Sequence, residues 1–159
     1  MQIANSLNIS FIILLFLGVN LSYNFDFKNN YNLLFDSDTA RVIHDLTEIS
    51  GLHSRADVHP LYILFIQPIV LLLTGIIQNK ILSLVILSSL VSSLSVLFIY
   101  KSLNIINKNN KLNFLLSTIY LFSFSNVIFT AGIEVYNYAS LFLILLYYYF
   151  LKKLKETEI

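Results

Sequence analysis

The chain has 159 residues, of which 57% are hydrophobic and 12% charged, with a formal net charge of +1 and a mean hydropathy of +0.74. Soluble domains run at roughly 45–50% apolar and about 25% charged, so this composition excludes an ordinary soluble domain. The near-neutral charge gives no electrostatic case for nucleic acid, and the absence of cysteine excludes disulfide frameworks, thiolate metal sites and cysteine nucleophiles.

The first apolar segment runs from Leu7 to Leu21. No basic residue precedes it and no clear small-x-small cleavage site follows, so it reads as an uncleaved anchor helix rather than a signal peptide. A polar outer loop follows over 22–57. All three histidines, both arginines and six of the nine acids lie between Asp26 and His59. Within it, Thr39, Val42, Ile43, Leu46 and Ile49 recur at helical spacing, with Arg41, His44, Asp45 and Glu48 on the other side. That pattern predicts an amphipathic helix over 38–50, opened by Ser37 or Asp38, ended by Gly51 and lying on the membrane surface.

Four more apolar segments are expected at Leu61–Ile77, Ile81–Leu103, Leu112–Ala131 and Val135–Leu151. A bilayer core of roughly 30 Å needs about 20 apolar residues in helix. The predicted fold is therefore an all-α integral membrane domain of about five hydrophobic helices plus the surface helix. Pro68 removes a backbone donor and predicts a kink or break in the first of the four. Ser88 with Ser92, and Ser89 with Ser93, make small-xxx-small pairs on the second, which predicts close helix packing.

Lys101, Lys108 and Lys111 form one basic loop, and Lys152, Lys153 and Lys155 another. Placing both inside puts Glu134 on the outer face. Counting every segment as a crossing then sets His59 and Glu134 on opposite faces. Either Leu61–Ile77 is re-entrant or only partly inserted, or one placement is wrong.

Ionisable groups in such a chain mark the places for chemistry. Asp36 and Asp38, at the mouth of the predicted helix, suit a base toward an acceptor hydroxyl or a divalent-cation ligand; a helix cap and a solvated acid explain them equally simply. His53, Asp57 and His59 match no zinc signature. His59 stands at the membrane border before Pro60-Leu61-Tyr62. Arg41 and Arg55, the only arginines, present forks suited to phosphate or carboxylate, or to ordinary lipid headgroups. Glu134, in Glu134-Val135-Tyr136-Asn137-Tyr138, is the only acid between Asp57 and the C-terminal tail.

In order and spacing, these pieces resemble the N-terminal part of the multi-spanning GT-C glycosyltransferases, which include protein O-mannosyltransferases, aminoarabinose transferases and family-39-like enzymes. The matching residues are Asp36 and Asp38, His59-Pro60-Leu61-Tyr62, the basic stretch Lys101 to Lys111, and Glu134 with Tyr136 or Tyr138. The resemblance implies sugar transfer from a polyprenyl-phosphate donor on the outer face of a bacterial inner membrane. It implies Asp38 as base, Asp36 as second candidate, and Glu134 facing them. His59, Tyr62, Arg41, Arg55 and Tyr136 would then bind substrate, and a divalent cation is an open question. Many members carry Asp-Glu where this chain has Asp-Ser-Asp, and their chains are several times longer, so the sequence reads as part of a larger module. The alternative is a small non-catalytic polytopic membrane protein, a partner subunit or assembly factor.

Overall fold

The computed structural model describes residues 2–24, 39–48, 60–133 and 135–157. Among them are seven helices: α1 (Gln2–Asn24), α2 (Thr39–Thr47), α3 (Pro60–Ile77), α4 (Lys80–Ile106), α5 (Asn110–Leu121), α6 (Phe124–Ala131) and α7 (Tyr136–Thr157).

Helix α4 is the axis, touching every other helix. Asn79 starts it, its side chain accepting a hydrogen bond from the Leu82 N–H at 3.0 Å. Gly18 of α1 lies against Val85 and Ser89, while Leu14 clusters with Val96 and Leu121, so α1 runs antiparallel to α4. The return path is antiparallel too: Asn113 meets Asn104 near the far end, and Thr130 meets Ser92 higher up. Helix α7 is parallel to α4, with Tyr138 beside Ser88 and Tyr148 edge-on to Phe98 at 5.2 Å between centroids.

These registers bring the end of α1, the start of α4 and the α6–α7 turn to one end of the bundle. Lys101 and Lys108 lie toward the other end, with Lys152 and Lys153. The end of α1 and the start of α4 are thus on the same end of the bundle.

The expectation of about five spanning helices is corrected. Among the described residues only α4 is long and apolar enough to cross a membrane, or two segments if the bent pair α5–α6 counts as one. The apolar stretches of α1 and α3 reduce to Asn8–Leu21 and Ile63–Ile77. At 1.5 Å per residue these give about 21–23 Å of rise, short of a roughly 30 Å core. Helix α7 is long enough, but Asn137, five tyrosines and three lysines dilute its apolar run.

Three local expectations also change. Segment 112–131 is two helices bent by 46° rather than one. Phe122 closes α5, extended Ser123 caps α6 by accepting from the Asn126 N–H, and Asn126 Nδ2 donates to the orphan Leu121 carbonyl at 3.1 Å. Conversely, α3 runs unbroken through Pro68. The amphipathic helix α2 does more than lie on a surface. Val42 and Leu46 are fully buried, in the same core cluster as Val70, Leu84, Ile133 and Tyr138. Gln67 Nε2 donates to the carbonyls of Asp45 and Glu48, both at 2.9 Å, and so closes the C-terminus of α2 against α3.

Candidate functional site

Of the residues singled out from sequence, Asp36, Asp38, Arg55, His59 and Glu134 lie outside the described residues, as do His53 and Asp57. Tyr62 falls in the first turn of α3. Arg41 is exposed on α2. Tyr136 opens α7, its ring tilted at 40° to Phe129 with centroids 5.2 Å apart.

Among the described residues, α2, which carries Arg41, and the turn between α6 and α7 approach one another. Ile133 and Val135 flank Glu134, and both are buried in the cluster that holds Val42 and Leu46 of α2. Ile133 has φ 55. A β-branched residue in the left-handed region is strained by about 1–3 kcal/mol, and such strain persists only where the surroundings fix it. The α6–α7 turn is thus held in one shape just before Glu134.

Behind this turn lies a cleft of about 200 Å³ between α4, α5, α6 and α7, lined by Ser92, Ser95, Tyr120, Ser125, Asn126, Phe129, Tyr136, Asn137 and Ser140. None of these side chains carries a charge. Thr130 gives its proton to the Asn126 carbonyl at 2.6 Å, so in the 2.8 Å pair Ser92 is the donor and Thr130 the acceptor. Ser95 donates to the Val91 carbonyl at 3.1 Å. Tyr120 and Ser140 complete the hydroxyl lining. Asn137 is 4% exposed, and its Nδ2 has no hydrogen-bond partner among the described residues. A buried amide without a partner costs about 1–3 kcal/mol, which makes Asn137 the conspicuous group of the cleft.

Among the described residues, Tyr136 is the one sequence candidate that lines this cleft. Ser92, Ser95, Tyr120, Asn126, Asn137 and Ser140 were not anticipated as site residues. Their signal was polar side chains inside apolar segments, which for the serines on α4 pointed to packing. Packing is part of the truth, since Ser92 both bonds across to α6 and faces the cleft.

Helix α2 carries a second unanticipated feature. Asp45, expected on the polar side, is 1% exposed, and His44 Nδ1 lies 3.6 Å from its carboxylate. Neighbouring Glu48 pairs with Lys80 of α4. The Lys80 hydrogen bond, and then its charge, hold the Glu48 carboxyl below its ordinary pKa. Among the described residues no three His, Cys, Asp or Glu side chains gather as a metal site. No family model, curated protein or solved structure matches the chain.

Proposed function

We propose that the chain is a membrane-embedded part of a glycosyltransferase that transfers sugar from a polyprenyl-phosphate donor on the outer face of a bacterial inner membrane. The observation that carries this reading is an inversion of polarity. Buried positions on α4 are largely serine, at 83, 88, 89, 92, 93, 95 and 102, whereas the outer surface carries Phe16, Phe65, Leu72, Phe114, Ile119, Phe142, Leu146 and Phe150. A soluble bundle buries its large apolar side chains and does not expose a skin of them, whereas lipid rewards that arrangement. The helix α2 cluster and the Glu134 turn share one end of the bundle, and a hydroxyl-rich cleft lies beside that turn.

In this reading Asp38 is the base that takes the acceptor proton, Asp36 its second candidate, and Glu134 an acid facing them. His59, Tyr62, Arg41, Arg55 and Tyr136 hold donor and acceptor. Among the described residues one helix, or two segments with the bent pair α5–α6, can span, so the proposal assigns this chain a portion of a larger enzyme. A non-catalytic membrane subunit is the second reading, favoured by the broad apolar face of α7 with Phe142, Leu143, Leu146 and Phe150 exposed.

The test is transfer from a radiolabelled polyprenyl-phosphate sugar in membranes containing the full chain. Asp38→Asn is expected to lower the rate about 100-fold or more, the scale of a lost general base. Equal rates for Asp38→Asn and the unsubstituted chain would reject Asp38 as base. Absence of transfer from every lipid-linked sugar tried would favour the subunit reading.

A further inference from the structure

We infer that the cleft around Asn137 is a binding site for an uncharged, polyhydroxylated group of about monosaccharide size, and that it rejects charged sugars. The proposal rests on the preceding reading for its membrane setting but not for any transfer step.

Three observations lead to it. The first is the orphan amide: the Nδ2 of Asn137, on a side chain more than nine-tenths buried, has no partner among the described residues, and Asn137 lines the cleft. A ligand oxygen is the group that would satisfy it. The second is proton accounting. Ser92 and Ser95 both donate inward, to Thr130 and to the Val91 carbonyl, which leaves their oxygens as acceptors. Donor and acceptor atoms a few side chains apart suit hydroxyl groups, which both give and take a proton. The third is the charge balance. Among the described residues no Lys, Arg, His, Asp or Glu lines the cleft. An ammonium, carboxylate or phosphate placed there would lose its hydration without a counter-charge, at a cost of several kcal/mol.

Shape agrees with the chemistry. The volume of about 200 Å³ is smaller than the roughly 300–1,000 Å³ of drug-sized sites. The rings of Phe129 and Tyr136 lie side by side on its wall, offering an apolar face to the C–H side of a sugar ring. Water is the competing occupant, and about six or seven molecules would fill this volume at roughly 30 Å³ each. A water-filled cleft would show no preference among sugars.

The experiment uses the full chain in phospholipid vesicles free of sugar detergents. Three photoreactive alkyl glycosides serve as probes, carrying a neutral hexose, a hexosamine and a hexuronic acid. The neutral probe is expected to label peptides of α6 and α7 saturably. Excess methyl hexoside should compete it away, and the charged probes should label at least tenfold less. Asn137→Leu is expected to reduce neutral labelling at least tenfold while melting no lower than the unsubstituted chain, because it removes an unsatisfied amide. Non-saturable labelling, equal labelling by all three probes, or full labelling of Asn137→Leu would each overturn the proposal. If Asn137→Leu does not fold, the neutral-against-charged ratio on the unsubstituted chain decides alone. Binding without sugar transfer would sink the transferase reading and leave the cleft standing. Transfer without cleft labelling would do the reverse.

Discussion

Two contacts made by the same serine-rich helix have opposite outcomes. Where α4 meets α1, the backbones close tightly: a Cβ added to Gly18 would lie 3.0 Å from Val85 Cγ1 and 3.5 Å from both Ser89 Oγ and Thr130 Cγ2. Where α4 meets α6 and α7, residues of similar polarity stand around an open cleft. The difference lies in the opposing residue. A glycine lets small side chains become a packing surface, whereas opposite Asn126, Asn137 and Tyr120 a local gap remains between helices that meet at Ser88–Tyr138 and again at Phe98–Tyr148. Small polar residues in an apolar helix are therefore not a function by themselves; what faces them decides.

The comparison breaks first at Gly18. Gly18→Leu should displace α1 and cost about 3 kcal/mol, read as a lowered unfolding midpoint in vesicles or detergent. Unchanged stability would mean that α1 does not approach α4 this closely. Thr130 sharpens the comparison, because its methyl group faces α1 and its hydroxyl bonds Ser92 on the cleft side. Thr130→Val keeps the shape and removes the bond, at a cost of about 1 kcal/mol. A cycle with Ser92→Ala should show most of that loss as coupling, and independent effects would place the two hydroxyls out of contact. Ser89 tests the closed side from the opposite direction. Its Oγ is buried without a partner among the described residues, so Ser89→Ala should raise stability by up to about 1 kcal/mol, and a clear loss would reveal a bond at that position.

The smallest effect lies outside both contacts, at the Lys80–Glu48 pair. The folded pKa of Glu48 is lowered, so its contribution is fully present above the ordinary carboxyl value near 4.5 and is lost as pH falls through the lower folded value. Amide exchange in α2 should therefore quicken modestly below about pH 4.5, and Lys80→Gln should remove that step. An identical profile in Lys80→Gln would assign the change to another group.

The helical class, the order of the apolar segments and the presence of the amphipathic helix were legible in residue periodicity. The number of spanning helices was not, because tyrosines and an early asparagine in α7 look apolar by spacing and fail on summed hydropathy. The break at Phe122–Ser123 had a signal, a serine three residues before Asn126, yet no proline or glycine advertised it. The cleft was hidden for a different reason: Ser92, Tyr120, Asn126 and Asn137 come from four helices, so no local motif joins them. Asp45 was misplaced because its neighbours Val42 and Leu46 are buried on two sides of it, which a single polar face does not anticipate.

The 46° bend between α5 and α6 divides the cleft lining. Tyr120 stands on one side of the joint, Asn126 and Phe129 on the other. A change in that angle widens or narrows the chamber directly, and a guest touching both walls acts as a splint across the joint. Occupancy at the centre of the bundle would then be felt as stiffness along the whole α5–α6 arm.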